Sequence, residues 1–152
     1  GQTADTIVVE NIYNMRSRVW GYQNAIWIAN HDVMPQLLLL SQSVGSGGTP
    51  VWQPSAREDY PDLLLGRPIF FSEYAQTIGD EGDIYCVNWS QYLEGTFSPM
   101  QAASSIHVRF LNHEQTFRFS MHNAGQPWWR SALTPRNSST TLSPFVTLEA
   151  RA

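Results

Sequence analysis

The spacing of apolar residues changes along this chain, and that change limits the folds open to it. Near the start, Val8, Ile12, Met15 and Val19 recur at intervals of three and four, which places them on one stripe of a helix. In the last third the interval becomes two. The stretch IHVRF sets Ile106, Val108 and Phe110 against His107 and Arg109, and TFRFSMHN sets Phe117, Phe119 and Met121 against Arg118, Ser120 and His122. A chain that begins with period 3.6 and ends with period 2 is α+β, with helices early and strands late.

The segments between follow from local signals. Asp5 or Thr6 can cap a helix over 6–19, two arginines near its end suit the helix dipole, and Gly21 stops it. AIWIA, at 25–29, reads as a buried strand. Asn30 and Asp32 offer caps for a second helix, about Val33 to Ser43, with Pro35 in its first turn. Glycine and proline make 44–62 a long loop, a length that marks function or mobility, with Trp52 and Tyr60 as its anchors. LLLGRPIFF (63–71) is a strand broken at Gly66, and Pro68 cannot donate to a ladder, so an edge or a bulge is expected there. DIYCVNWS (83–90) is a further strand, which Gln91 to Gly95 extend or pair with. Asn123-Ala124-Gly125 reads as a turn, Trp128-Trp129 as a short strand, and PFVTLEA as the closing strand.

Composition removes whole classes of chemistry. There is no lysine among the nine basic residues, so no Schiff-base or phosphate-loop lysine exists here. The net charge of −4 opposes a polyanion-gripping surface. The single cysteine, Cys86, permits no internal disulfide and reads as a buried apolar residue. The sequons at Asn88 and Asn137 matter only in a secreted eukaryotic protein, which nothing else suggests. The longest strongly apolar run, Leu37 to Leu40, is too short to cross a bilayer.

The motifs that resemble sites fail on spacing. GDEGD (79–83) has adjacent acids where a calcium loop needs alternate ones, and the twelfth position from Asp80 is Gln91, so it reads as a turn. VGSGGTP follows a helix and lacks the lysine of a phosphate loop. His31, His107, His113 and His122 show no zinc spacing. A convergent hydrolase or metal site built from His107, His122 and Asp83 is the rival reading. The main expectation is that the chain is not an enzyme and carries no catalytic residue, metal or cofactor. Charged residues are only 14%, against roughly 25% in typical soluble domains. With six Trp, six Tyr and seven Phe, this suits a surface partly covered by neighbours.

Several segments together resemble the major capsid proteins of tailed bacteriophages, the Hong Kong phage fold. They are AIWIAN with the helix through LLLL, a glycine-rich loop with a Trp, LLGRPIFFSE, then Gly82-Asp83-Ile84 and Tyr92-Leu93, and finally FRFSMHNAGQPWWRSAL and SPFVTLEA. The resemblance implies a mixed central sheet flanked by helices, the axial domain, over 1–104. It implies a β-rich extension, the strands returning to the peripheral domain, over 105–152. By this resemblance the sequence starts after the spine helix, without the N-terminal arm and extended hairpin, and Gly1 in place of Met suits a fragment or processed product. The implied function is a self-assembling subunit of pentameric and hexameric capsomers enclosing DNA in a phage or prophage shell. Its partners would be copies of itself, a scaffold or maturation protease, and DNA held without sequence preference. No membrane is implied, and the protein would pass from the host bacterial cytoplasm into the virion. No lysine is present for an isopeptide cross-link. Another phage part, from a tail or a decoration protein, is the second rival. By order along the chain, the loop from Gly45 to Asp62 maps to the capsomer axis, with Trp52, Arg57, Glu58, Asp59 and Tyr60 as candidate subunit-interface residues.

Overall fold

The computed structural model describes residues 2–44, 47–52, 54 and 62–151, which fall into two compact units: residues 1–91 with 129–152, and residues 92–128. In the first unit, α1 (Val9–Arg18) buries Ile12 and Met15. It starts three residues later than its apolar spacing suggests, and Val8 at its N-cap supplies no side-chain bond. The expected caps are engaged elsewhere. The amide of Asp5 donates to the Arg151 carbonyl, and the Thr6 hydroxyl to the Thr3 carbonyl.

After β1 (Ile26–Ala29), Asn30 accepts from the Asp32 amide, as its sequence position implies, and a 3₁₀ turn leads into α2 (Met34–Leu39). That helix ends at Leu39, with Leu40 as its C-cap, and does not reach Ser43. The next residues form β2 (Ser41–Val44), which pairs antiparallel with β3 (Gly47–Pro50). Part of the expected loop is therefore a hairpin.

The break at Gly66 is also a hairpin. Leu65 and Gly66 both have positive φ (49° and 77°), as a type I′ turn requires, and join β4 (Leu63–Leu64) to β5 (Arg67–Phe71). β5 lies inside the sheet, with β4 on one side and β1 on the other, so Pro68 is not on an edge strand. It is tolerated because the ladder with β1 begins one residue later, at Ile69.

With β6 (Ile84–Val87) and β9 (Phe145–Thr147) the sheet has the order β4-β5-β1-β6-β9. β1 runs parallel to β5 and antiparallel to β6, so the sheet is mixed. The architecture is α+β, as the change of period predicts. Trp27, Trp52, Ile12, Leu37, Leu64 and Ile84 fill the core. The Trp27 indole N–H donates to the Tyr22 hydroxyl, which in turn donates to the Leu65 carbonyl, so the central ring leaves no polar group unpaired.

The second unit is one antiparallel ribbon, β7 (Tyr92–Ser105) paired with β8 (Thr116–Pro127). Three expectations fail here. IHVRF is not a strand: it lies in the connection, and a 3₁₀ turn over Phe110–Asn112 follows its bends. Its alternation is real, but no strand faces it. Asn123-Ala124-Gly125 is not a turn but continues β8 opposite Glu94, Gly95 and Thr96. Trp128-Trp129 is not a strand. The boundary expected between 104 and 105 lies at the end of β7. The compact units part at 91/92 and 128/129, the two ends of the one ladder that β7 and β8 form.

Candidate functional site

The segment GDEGD, which the sequence singles out, combines burial with polar chemistry in the first unit. GDEGD is a turn, as expected. Gly79 and Gly82 take φ of 96° and 93°, and a Cβ on Gly79 would strike the Asp5 side chain. The Thr77 hydroxyl donates to the Asp80 carboxylate, and the Asp80 amide to the Thr77 carbonyl.

The last acid of that turn has a second role. Asp83 is fully buried and paired with Arg151, whose side chain is only 7% exposed. The Gly79 amide donates to the same carboxylate oxygen (3.1 Å), while the other oxygen, Oδ1, is buried without a partner. Arg151 also donates through Nε to the Thr6 carbonyl (2.7 Å) and through its backbone N–H to the Gly79 carbonyl (2.7 Å). Three segments far apart in sequence (5–6, 79–83 and 148–151) are thereby fastened at one point. This carboxylate is committed to an internal cation, so the arrangement is a staple and not an acid–base pair awaiting substrate. His107 and His122, the other members of the rival constellation, are exposed residues of the second unit. Among the described residues, no group of three His, Cys, Asp or Glu could hold a metal ion. Burial pushes the Cys86 thiol up to about 12, which leaves it protonated and unreactive at neutral pH.

Of the five candidate interface residues, only Trp52 is among those described; Arg57, Glu58, Asp59 and Tyr60 lie outside them. Trp52 is 2% exposed, with its ring edge-on to Phe71 at 6.0 Å. Its ring is part of the core, and its indole N–H has no partner among the described residues.

Among the described residues, both units expose large apolar side chains, and on the second they fall in one short ribbon. Phe117, Phe119 and Met121 share one face of β8, and Phe119 faces only Ala102 across the ladder. Phe97, Met100, Ile106, Val108, Phe110 and Leu111 are exposed as well. The alternation of β8 was visible in the sequence. What the sequence hid is that neither face of this ladder is covered within its unit. In the first unit, a groove of about 490 Å³ runs between the start of α1 and Leu39–Ser41, lined by Ile7, Val8, Val9 and Tyr13. No ionisable cluster converges on it; Glu10 is its one charged lining residue.

Comparison with known proteins gives these surfaces a context. The family model described as the phage capsid family matches residues 1–136. A solved structure, the capsid of an empty GTA particle computed with C5 symmetry, matches 77% of this chain with a TM-score of 0.56 at 14% identity. The chain spans 40% of the length of that capsid chain. At that identity the likeness speaks for the fold. A search of curated proteins gives no significant match. No helix among the described residues is long and apolar enough to cross a membrane. With the family model covering most of its length, and a mixed-sheet fold shared with a capsid chain, the protein belongs to the phage capsid family.

Proposed function

We propose that this chain is the part of a shell subunit that assembles into five- and six-membered capsomers around packaged DNA. The observation that carries the reading, beside family membership, is the ribbon. An isolated two-stranded ladder is marginal in water. This one places Phe117, Phe119 and Met121 on a solvent-facing side, with Phe119 65% exposed. Such a surface suits a piece completed by other parts of a shell.

In this reading the five-stranded sheet with its helices is the axial domain. The ribbon takes the place of the strands returning to the peripheral domain. Trp52 would serve as the buried foot of a segment whose Arg57, Glu58 and Asp59 meet neighbouring copies at the capsomer axis, and Tyr60 belongs to the same segment. Closed rings of five or six use heterologous contacts, in which one surface of a copy meets a different surface of the next. A net charge of −4 without lysine suits a container that holds DNA without gripping it. A scaffold or maturation protease is a compatible partner, the host cytoplasm the place of synthesis, and the virion the destination.

The test is expression of the full-length subunit, followed by sedimentation and electron microscopy. Closed shells or capsomers are the expected products, and a protein that stays monomeric at every concentration would contradict the reading. The axis assignment is tested separately by replacing Arg57, Glu58 and Asp59 together with Ala. Capsomer assembly should change, and unchanged assembly removes those residues from the axis.

A further inference from the structure

The ribbon of the second unit has two long edges, and only one of them is guarded. β7 carries Pro99, which has no backbone N–H. Both irregularities of the ladder add their extra residue to β7. Thr96 and Ser98 stand opposite the adjacent Asn123 and His122, and Ser98 and Gln101 stand opposite His122 and Ser120. Proline and bulges of this kind keep a free edge from pairing. β8 has neither guard. From Thr116 to Gln126 it holds no proline and no extra residue, and Arg118 is its one arginine, aspartate or glutamate.

The other sheets end on short strands. β4 has two residues and β9 three, and the β2–β3 hairpin pairs four with four. Among the described residues, β8 is therefore the one long edge without a guard. It runs for 12 residues and pairs only with β7. Alternate residues turn their N–H and C=O groups outward, as a template for another strand.

The sequence of β8 says which strand fits. Around Phe119, the order Phe117-Arg118-Phe119-Ser120-Met121 alternates apolar and polar identically in both directions. An identical strand laid antiparallel, with Phe119 opposite Phe119, sets Phe117 against Met121, Arg118 against Ser120 and Thr116 against His122. Large apolar side chains then meet on one face, and no like charges stand opposite each other. Other registers lose this match. A slip of one residue puts apolar side chains beside polar ones. Centring on Arg118 sets two guanidinium groups face to face, and centring on Ser120 sets Phe117 opposite Asn123. The joined sheet has four strands, and each copy brings Phe117, Phe119 and Met121, all more than half exposed in the chain alone, to one continuous face. Three or more strands with an apolar face are what an independently stable sheet needs.

We propose that β8 is a two-fold contact, its free edge pairing antiparallel with β8 of a second copy in register about Phe119. The inference rests on the capsid reading and adds a contact that reading does not contain. Contacts within a ring of five or six join two different surfaces. A strand paired with its own copy is isologous and closes on a pair, so it joins one ring to the next.

The experiment is disulfide trapping in shells of the full-length protein. Phe119→Cys brings two thiols together across the two-fold axis, within the Cα separation of about 4.4–6.8 Å that a disulfide needs. Ser120→Cys sets them on a diagonal, about 7–8 Å apart or more. Cys86 is buried and does not compete. After mild oxidation, linked pairs are expected from Phe119→Cys shells and not from Ser120→Cys shells. Phe119→Cys shells without linked pairs overturn the inference and leave the capsid reading standing, whatever other segment lies along the edge. Pairs linked at 120 instead move the axis and also overturn it. If the wild-type protein forms no shell, the capsid reading falls and the inference with it. A second variant serves where Phe119→Cys does not assemble. Ser120→Arg keeps the apolar face and sets a guanidinium opposite Arg118 of the second copy. Shell yield should fall about tenfold or more while free rings accumulate, and adding Arg118→Glu should restore it. Wild-type yield from Ser120→Arg, or no recovery in the double variant, overturns the inference.

Discussion

Trp27 sits at the centre of a four-residue strand and is fully buried, with a strand paired on either side of it. Phe119 sits in a strand three times as long, is 65% exposed, and faces Ala102 across a single ladder. The first unit closes a core with short strands because β1, β5 and β6 each have two neighbours, and helices α1 and α2 contribute Ile12, Met15 and Leu37 to the same interior. The second unit puts its strand residues into two long strands and has no covering layer of its own. Strand length is therefore a poor guide to stability here; what counts is whether a second layer buries the apolar face. The first unit closes a core of its own, and the second leaves its apolar face exposed.

The hardest blow to the self-sufficient unit should come from the buried staple. Arg151→Ala leaves the buried Asp83 carboxyl without its guanidinium partner, and is expected to cost about 3–5 kcal/mol. A thermal melt followed by near-ultraviolet circular dichroism reads this directly. A melting temperature within a degree of wild type would show that the pair contributes little. Gly79→Ala attacks the same point through the backbone. It forces a side chain into a positive φ and against Asp5, for an expected loss of about 1–3 kcal/mol.

A smaller effect should appear in alkali. Burial raises the Cys86 thiol to about 12 from the ordinary value of 9.0, and burial also raises Tyr22. A group whose folded pKa is raised contributes stability that is complete below its unfolded pKa and is lost as pH climbs towards the folded one. Unfolding free energy should thus be level below pH 9 and fall above it, by on the order of 1 kcal/mol per pH unit for the thiol. Cys86→Ala should flatten the thiol's share of that slope in urea melts at pH 8 and 10. An identical slope in both proteins would assign the alkaline loss elsewhere.

The smallest effect on the chain alone should come from the ribbon. Phe119→Ser removes a large ring that buries little, so stability should move by no more than about 0.5 kcal/mol. The same change in the assembling subunit should lower shell yield. A large loss of stability in the isolated chain would mean that the ribbon already has a core.

Much of this contrast was open to reading in the sequence, and the failures share a cause. The middle of the helical stripe (Ile12 and Met15), the alternation of Phe117, Phe119 and Met121, and the capping role of Asn30 are local signals, and they appear as read, while Val8 and Val19 flank the helix in extended backbone. The strand over 96–105 left no such signal. TFSPMQAASS has no alternation and contains Pro99, which the ladder accommodates by irregularities in register on both sides of Ser98. IHVRF misled because a period of two in five residues is satisfied as easily by a connection as by a strand. The staple was invisible for a different reason. GDEGD reads as a solvated turn on its own residues, and only the return of Arg151, 68 positions later, makes Asp83 a buried partner. Likewise the aromatic count pointed to covered surface, but which tryptophans stay half-exposed depends on contacts between 20, 89, 129 and 145 that no local pattern encodes.

The dependence of the ribbon on assembly is tested most directly by amide hydrogen exchange on the chain alone and in assembled shells. Amides of β1 and β6 should exchange slowly in both states, since they sit in the core of a unit that closes on itself. Amides over 92–105 and 116–127 should exchange rapidly in the chain alone and slow markedly in the shell. Slow exchange of those ribbon amides in the isolated chain, equal to that of 84–87, would contradict the account.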